Sequence, residues 1–159
     1  MTEPDIIARF GRTRQQSLSA CDPLYIEDYG LQAAAFASPP KWHLAHTSWF
    51  FETFLLKPFA RDYRTPDERY EFLFNSYYNG VGAQFSRAHR GLLSCPTVED
   101  IRQYRAHVDG AMTALLTDTN HPQRDTILAR CRLGVEHEQQ HQELFYTDLK
   151  YSLYANPML

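Results

Sequence analysis

The sequence predicts an all-α fold, a four-helix bundle, on three observations. Four long stretches repeat apolar residues at helical intervals, and no stretch shows the period-two alternation of a half-buried strand. The connections between them vary in length and nothing repeats internally, as in a bundle rather than a solenoid. At 159 residues a single domain spanning 1–159 with one core is expected.

The first helix is expected over Asp5 to Ala20, where Ile6, Ile7, Phe10, Arg14 and Leu18 recur at helical spacing and Pro4 suits the first turn. Asp22-Pro23 ends it, and Leu24 to Tyr29 reads as a short helical turn. Ala37-Ser38-Pro39-Pro40 resets the direction. With Ser38 able to cap and a proline fitted to the first turn, a second helix is expected from Pro40 to Leu56. It is apolar nearly all round, which predicts burial on most sides. Lys57-Pro58 is expected to stop it.

Residues 58–66 read as a loop, and Asp67 to Tyr78 as a shorter helix carrying Phe72, Leu73, Phe74 and Tyr77. Asn79-Gly80-Val81-Gly82 has turn chemistry, and residues 85–96 show no period and read as irregular. Thr97 with Asp100 three residues on approximates a capping box for the third long helix, which carries Ile101, Tyr104, Val108, Met112, Leu115 and Leu116. Asn120-His121-Pro122 breaks it. The fourth long helix is expected over Gln123 to Leu153, with Ile127, Cys131, Gly134, Glu138, His141, Phe145 and Leu149 along one broad face.

An apolar fraction of 43% with 22% charged residues is ordinary for a globular chain, and 10 Tyr, 10 Phe and 2 Trp favour a ring-walled interior or cleft. A net charge of −3 and a pI near 6.1 make no electrostatic case for nucleic acid or an anionic membrane surface. No apolar run approaches the ~20 residues that span a bilayer. Cys21, Cys95 and Cys131 show no metal-finger or redox spacing. An odd count and a start without signal-peptide character point to reduced thiols and a cytoplasmic location.

Chemistry concentrates at His137-Glu138-Gln139-Gln140-His141. Positions four apart on a helix lie one above the other, so both imidazoles leave one face and can bind a single first-row metal ion. His46, on the buried second helix among Trp42, Trp49, Phe50 and Thr53, is the third candidate ligand. His43 ranks behind it, turned about 60° away on the helical wheel. Three imidazoles suit zinc, iron, nickel or copper, and ligand type alone does not choose.

His137-Glu138-x-x-His141 also matches the zinc-protease helix, in which the Glu is a general base. Thr147 stands where the third histidine of that pattern would be, and the residues after His141 are too few for a distant Glu ligand. Arg87 and Arg90 are either carboxylate-gripping guanidinium groups or solvated loop residues. Gln140 is either a substrate-orienting group beside His141 or an exposed helix residue. Tyr77 and Tyr78 read first as core, second as cleft walls. His89, His107 and His121 read as ordinary surface or loop residues.

Four blocks in order, Trp42–Phe54, Leu73–Tyr78, Arg90–Val98 and His137–Glu143, closely resemble the N-terminal DinB-like domain of the ergothioneine-biosynthesis sulfoxide synthases, over Arg12 to Pro157. The resemblance implies a DinB-like four-helix bundle and a mononuclear non-haem iron site on His46, His137 and His141. It implies an oxidoreductase that uses oxygen to join a thiol, γ-glutamylcysteine or cysteine, to Nα-trimethylhistidine (hercynine) as a sulfoxide. Gln140 is implied to seat hercynine, and Arg87, or second Arg90, to hold the thiol substrate.

Those synthases carry a further C-terminal domain related to formylglycine-generating enzymes, implied to supply the catalytic Tyr. That domain is not expected within residues 1–159, so these residues alone are expected to be incomplete and no catalytic residue is assigned among them. Two alternatives stand beside that reading. One is a stand-alone DinB-like thiol S-transferase using zinc or nickel to generate thiolate. The other is a non-catalytic metal-binding subunit that docks a partner domain.

Overall fold

Pro39 and Pro40 favour extended and then helical backbone in turn, and the helix they start is the one on which the others pack. The computed structural model describes residues 2–159 and is all-α. Every residue of α2 (Pro40–Phe51) is buried, as its all-round apolar sequence requires. Six helices are present among the described residues: α1 (Glu3–Ser19), α2, α3 (Lys57–Phe59), α4 (Arg69–Phe74), α5 (Val98–Thr117) and α6 (Arg124–Tyr154). The four longest close a ring, α1 against α6, α6 against α2, α2 against α5 and α5 back against α1. The core fills the middle of that ring with Ile6, Phe10, Trp49, Phe51, Leu55, Val108, Met112 and Ile127.

Caps and breakers act largely as the residues require. Thr97 Oγ1 accepts the Asp100 N–H at 3.1 Å while Asp100 accepts the Thr97 N–H at 2.8 Å, so the expected capping box starts α5. The region expected to be irregular, 85–96, contains a 3₁₀ turn over Arg87–Leu92, and a second such turn covers Ile26–Gly30. Side chains three apart eclipse in a 3₁₀ turn, which carries Arg87 and Arg90 to the same side.

Two expectations are corrected. Pro58 does not stop the second helix: a π turn over Glu52–Leu56 runs on into α3, with the Lys57 N–H reaching Glu52 O. The proline cannot donate to Phe54 O and its ring crowds that carbonyl, so the wider turn relieves it. The Arg130 guanidinium donates to Phe54 O at 3.0 Å in the missing N–H's place. The helix expected over Asp67–Tyr78 is only Arg69–Phe74. Asn75 leaves helical geometry (φ −66°, ψ 141°) and its amide donates to Tyr78 O and Gly82 O, an alternative to continuing the helix.

A buried charge cluster ties the helices together. Glu138 of α6 is wholly buried and accepts from Arg14 of α1 (2.9 Å), Arg105 of α5 (2.9 Å) and Ser17 (2.6 Å). Arg14 also reaches Asp109 at 2.6 Å and Ser48 of α2 at 2.7 Å. Arg105 donates to Leu44 O, Thr47 Oγ1 and Arg14 O. Two guanidinium charges are thus balanced by two carboxylates at the place where α1, α2, α5 and α6 meet.

Gly134 is where α6 comes closest to Phe51, since a Cβ there would lie 2.5 Å from Phe51 Cε1. Phe51 is fully buried and its ring has nowhere to retreat. Gly134→Ala is therefore expected to destabilise the protein by about 1–3 kcal/mol through overpacking, outweighing alanine's helix preference, as chemical denaturation would measure.

Candidate metal centre

α2 and α6 run side by side, and the histidines predicted from spacing meet between them. His137 and His141 leave one side of α6 toward α2, and His46 faces them from a position only 1% exposed. The three imidazole centroids lie 4.5–5.0 Å apart, and one nitrogen from each lies within 4.8 Å of the others. His46 Nε2 stands 3.2 Å from His137 Nε2.

The remaining nitrogens decide which atoms point inward. His46 Nδ1 lies 2.5 Å from Phe74 O, a carbonyl that only accepts, so its proton sits on Nδ1 and Nε2 carries the lone pair. His141 Nδ1 is engaged by His43 Nδ1 at 3.0 Å, leaving Nε2 for the centre. His137 Nδ1 is buried without a hydrogen-bond partner among the described residues. Burial holds all three imidazoles neutral by lowering their pKa values, His137 to about 4; neighbouring histidines add to the lowering at His46 and His141. Three neutral, converging nitrogen donors, one buried and two half-buried, could hold a first-row metal ion.

Aromatic rings fix these ligands from outside. Trp42 stacks on His46 at 4.6 Å and 11°, Trp49 flanks its other side at 5.4 Å, and Phe50 stacks on His137 at 4.2 Å. The Arg90 guanidinium lies 3.4 Å over the Trp42 ring, completing a column of Arg90, Trp42 and His46.

A cleft of about 350 Å³ opens over the histidines, with Arg87, Arg90, Gln140, Tyr77 and Tyr78 in its walls. Arg90, for which spacing leaves a solvated loop position open, is buried and donates to Ser38 (2.9 Å) and Ser76 (3.1 Å). Burial lowers its pKa to about 9, with the Arg87 charge adding to the effect. Arg87 is exposed, donating to Phe36 O and to the Tyr77 hydroxyl at 2.5 Å. Gln140 is exposed at the rim, its side chain without a hydrogen bond among the described residues.

Tyr77, read first as core, is 77% exposed and has a positive φ of 63°, a strained backbone for a bulky residue. His43, ranked as a substitute ligand, turns away from the centre to meet Asp148 at 2.9 Å. Glu138 lies on the buried face of α6, as its spacing predicts, and its ion pairs with Arg14 and Arg105 hold it away from the histidines, so the disfavoured protease-like role as general base for a metal-bound water does not apply.

A profile of the DinB superfamily matches residues 9–145. The chain belongs to the DinB superfamily. Domains of this superfamily are commonly metal-binding, in keeping with the three-histidine group. No curated protein matches the chain. For this DinB-superfamily chain, sequence reasoning missed Asp148, whose signal was its position two helical turns after His141. Among the described residues no helix is long and apolar enough to cross a membrane.

Proposed function

We propose that this chain is the iron-binding, DinB-like four-helix-bundle domain of an oxygen-dependent sulfoxide synthase of the ergothioneine type, joining a cysteinyl thiol to hercynine. The observation that carries the reading is three neutral histidines converging at the floor of a cleft that offers cationic and amide groups. A three-nitrogen set leaves coordination positions for exogenous ligands, and ferrous ion bound there would supply oxygen activation and thiolate coordination.

The protein's own residues bind and orient. Arg87 and Arg90 place positive charge in the cleft wall, suited to the carboxylates of γ-glutamylcysteine or cysteine. Gln140, next to His141 and with no side-chain hydrogen bond among the described residues, would seat the hercynine imidazole. The thiol is assigned to the substrate, because no cysteine is among the described residues that line the cleft, and burial pushes the Cys21 and Cys131 thiols up to about 11 and 12. Phe36, Tyr77, Leu144 and Tyr151 leave exposed apolar surface, with Tyr77 and Leu144 lining the cleft itself. This suits cover by a formylglycine-generating-enzyme-like domain.

The test is anaerobic purification, elemental analysis, and incubation with hercynine, γ-glutamylcysteine and oxygen, with and without such a domain added in trans. Iron near one equivalent, and sulfoxide formed only with the added domain, is the expected result. Zinc or nickel with thiol transfer to an electrophile by this chain alone would replace the reading with a thiol S-transferase. Bound metal without turnover in either setting would leave a metal-binding subunit.

A further inference from the structure

Behind the histidines lies a buried carboxylate that the proposed chemistry does not use. Asp148 of α6 is 5% exposed, and its Oδ2 accepts the Ser38 N–H at 2.9 Å. The same oxygen stands 2.9 Å from His43 Nε2, and His43 Nδ1 stands 3.0 Å from His141 Nδ1. Asp148, His43 and His141 therefore form one continuous chain linking the two helices that carry the candidate ligands.

With neutral rings, two proton arrangements are available. In one, His141 donates from Nδ1 to His43 Nδ1, and His43 donates from Nε2 to Asp148. Every contact then pairs a donor with an acceptor, and His141 Nε2 keeps a bare lone pair. In the other, His43 donates from Nδ1 to His141. That sets the His43 Nε2 lone pair against a carboxylate oxygen and puts a proton on His141 Nε2, where a ligand lone pair is needed. In a buried site the unmade hydrogen bond and the facing lone pairs select the first arrangement.

We propose that Asp148, acting through His43, fixes the tautomer of His141 and so presents its Nε2 to the metal. Both are positioning residues, and the proposal rests on reading His46, His137 and His141 as a metal site. The backbone N–H of Ser38 holds the far end, orienting the carboxylate that orients the ring.

The tautomer is readable without metal. Long-range ¹⁵N–¹H NMR on the histidine-labelled, metal-free full chain is expected to show His141 protonated at Nδ1 and bare at Nε2. Asp148→Asn and His43→Leu should lose that preference. Competition with a chromophoric chelator should show zinc(II) binding weakened about 10–100-fold in both, with far-UV circular dichroism unchanged. A merely structural role for Asp148 would leave the nitrogen shifts of His141 in place.

A wild type that takes up zinc but whose metal-free form has His141 protonated at Nε2 overturns the relay alone. So do variants that keep both the tautomer and the affinity of the wild type. A wild type that takes up no metal overturns the metal-site reading, and the relay's role with it.

Discussion

Glu138→Gln is expected to destabilise the fold by about 3–5 kcal/mol, because it removes the carboxylate that two buried guanidinium groups share. Arg14 is 3% and Arg105 1% exposed, so neither can turn to water for compensation. The amide can still accept a hydrogen bond but brings no charge. Urea titration of wild type and E138Q measures the difference, and a loss under about 1 kcal/mol would mean that the cluster relaxes around the amide.

The pH dependence gives an independent check. Burial alone would raise the Glu138 pKa; Arg14, Arg105 and the Ser17 hydroxyl overcome it and hold the group at about 2, below its ordinary 4.5. A carboxylate depressed on folding stabilises the protein above its unfolded pKa, and that contribution is lost as pH falls toward the folded value. The wild type should therefore lose its advantage over E138Q between about pH 4.5 and 2, where the two curves converge.

The second large effect concerns His46. A ligand that binds only the folded state at a hundred times its dissociation constant stabilises by about 2.7 kcal/mol. For a chain of this length that raises Tm by roughly 5–10 °C. Ferrous or zinc ion should produce such a rise in the wild type and none in His46→Ala. The quantity to compare is the metal-dependent increment, since emptying a position packed against two tryptophans also lowers the starting Tm. An equal increment in the variant would place the metal elsewhere.

Much of this was legible in the sequence because the relevant signals are local and periodic. α2, α5 and α6 follow from apolar spacing and from the Thr97 cap, and the histidine pair follows from its four-residue interval. What stayed hidden depends on partners distant in sequence. Pro58 looks like a terminator until Arg130 supplies the hydrogen bond that the proline cannot. Asn75 ends a helix early by bonding to carbonyls in a turn that follows it. Arg90 looks solvated until Trp42, Ser38 and Ser76 surround it. Glu138 and His43 each point where a charge or ring on another helix draws them, which no interval within one helix can reveal.

The placement of the indoles has a further consequence. The chain has two tryptophans, and both lie against the ring of His46. Its tryptophan emission, excited selectively at the red edge of the absorption band, therefore comes from chromophores beside the candidate centre, with no distant indole to dilute the signal. A paramagnetic ion at His46 would quench both by proximity, whereas diamagnetic zinc would leave most of the emission. The protein thus carries its own optical probe of occupancy, one that distinguishes iron from zinc without added label.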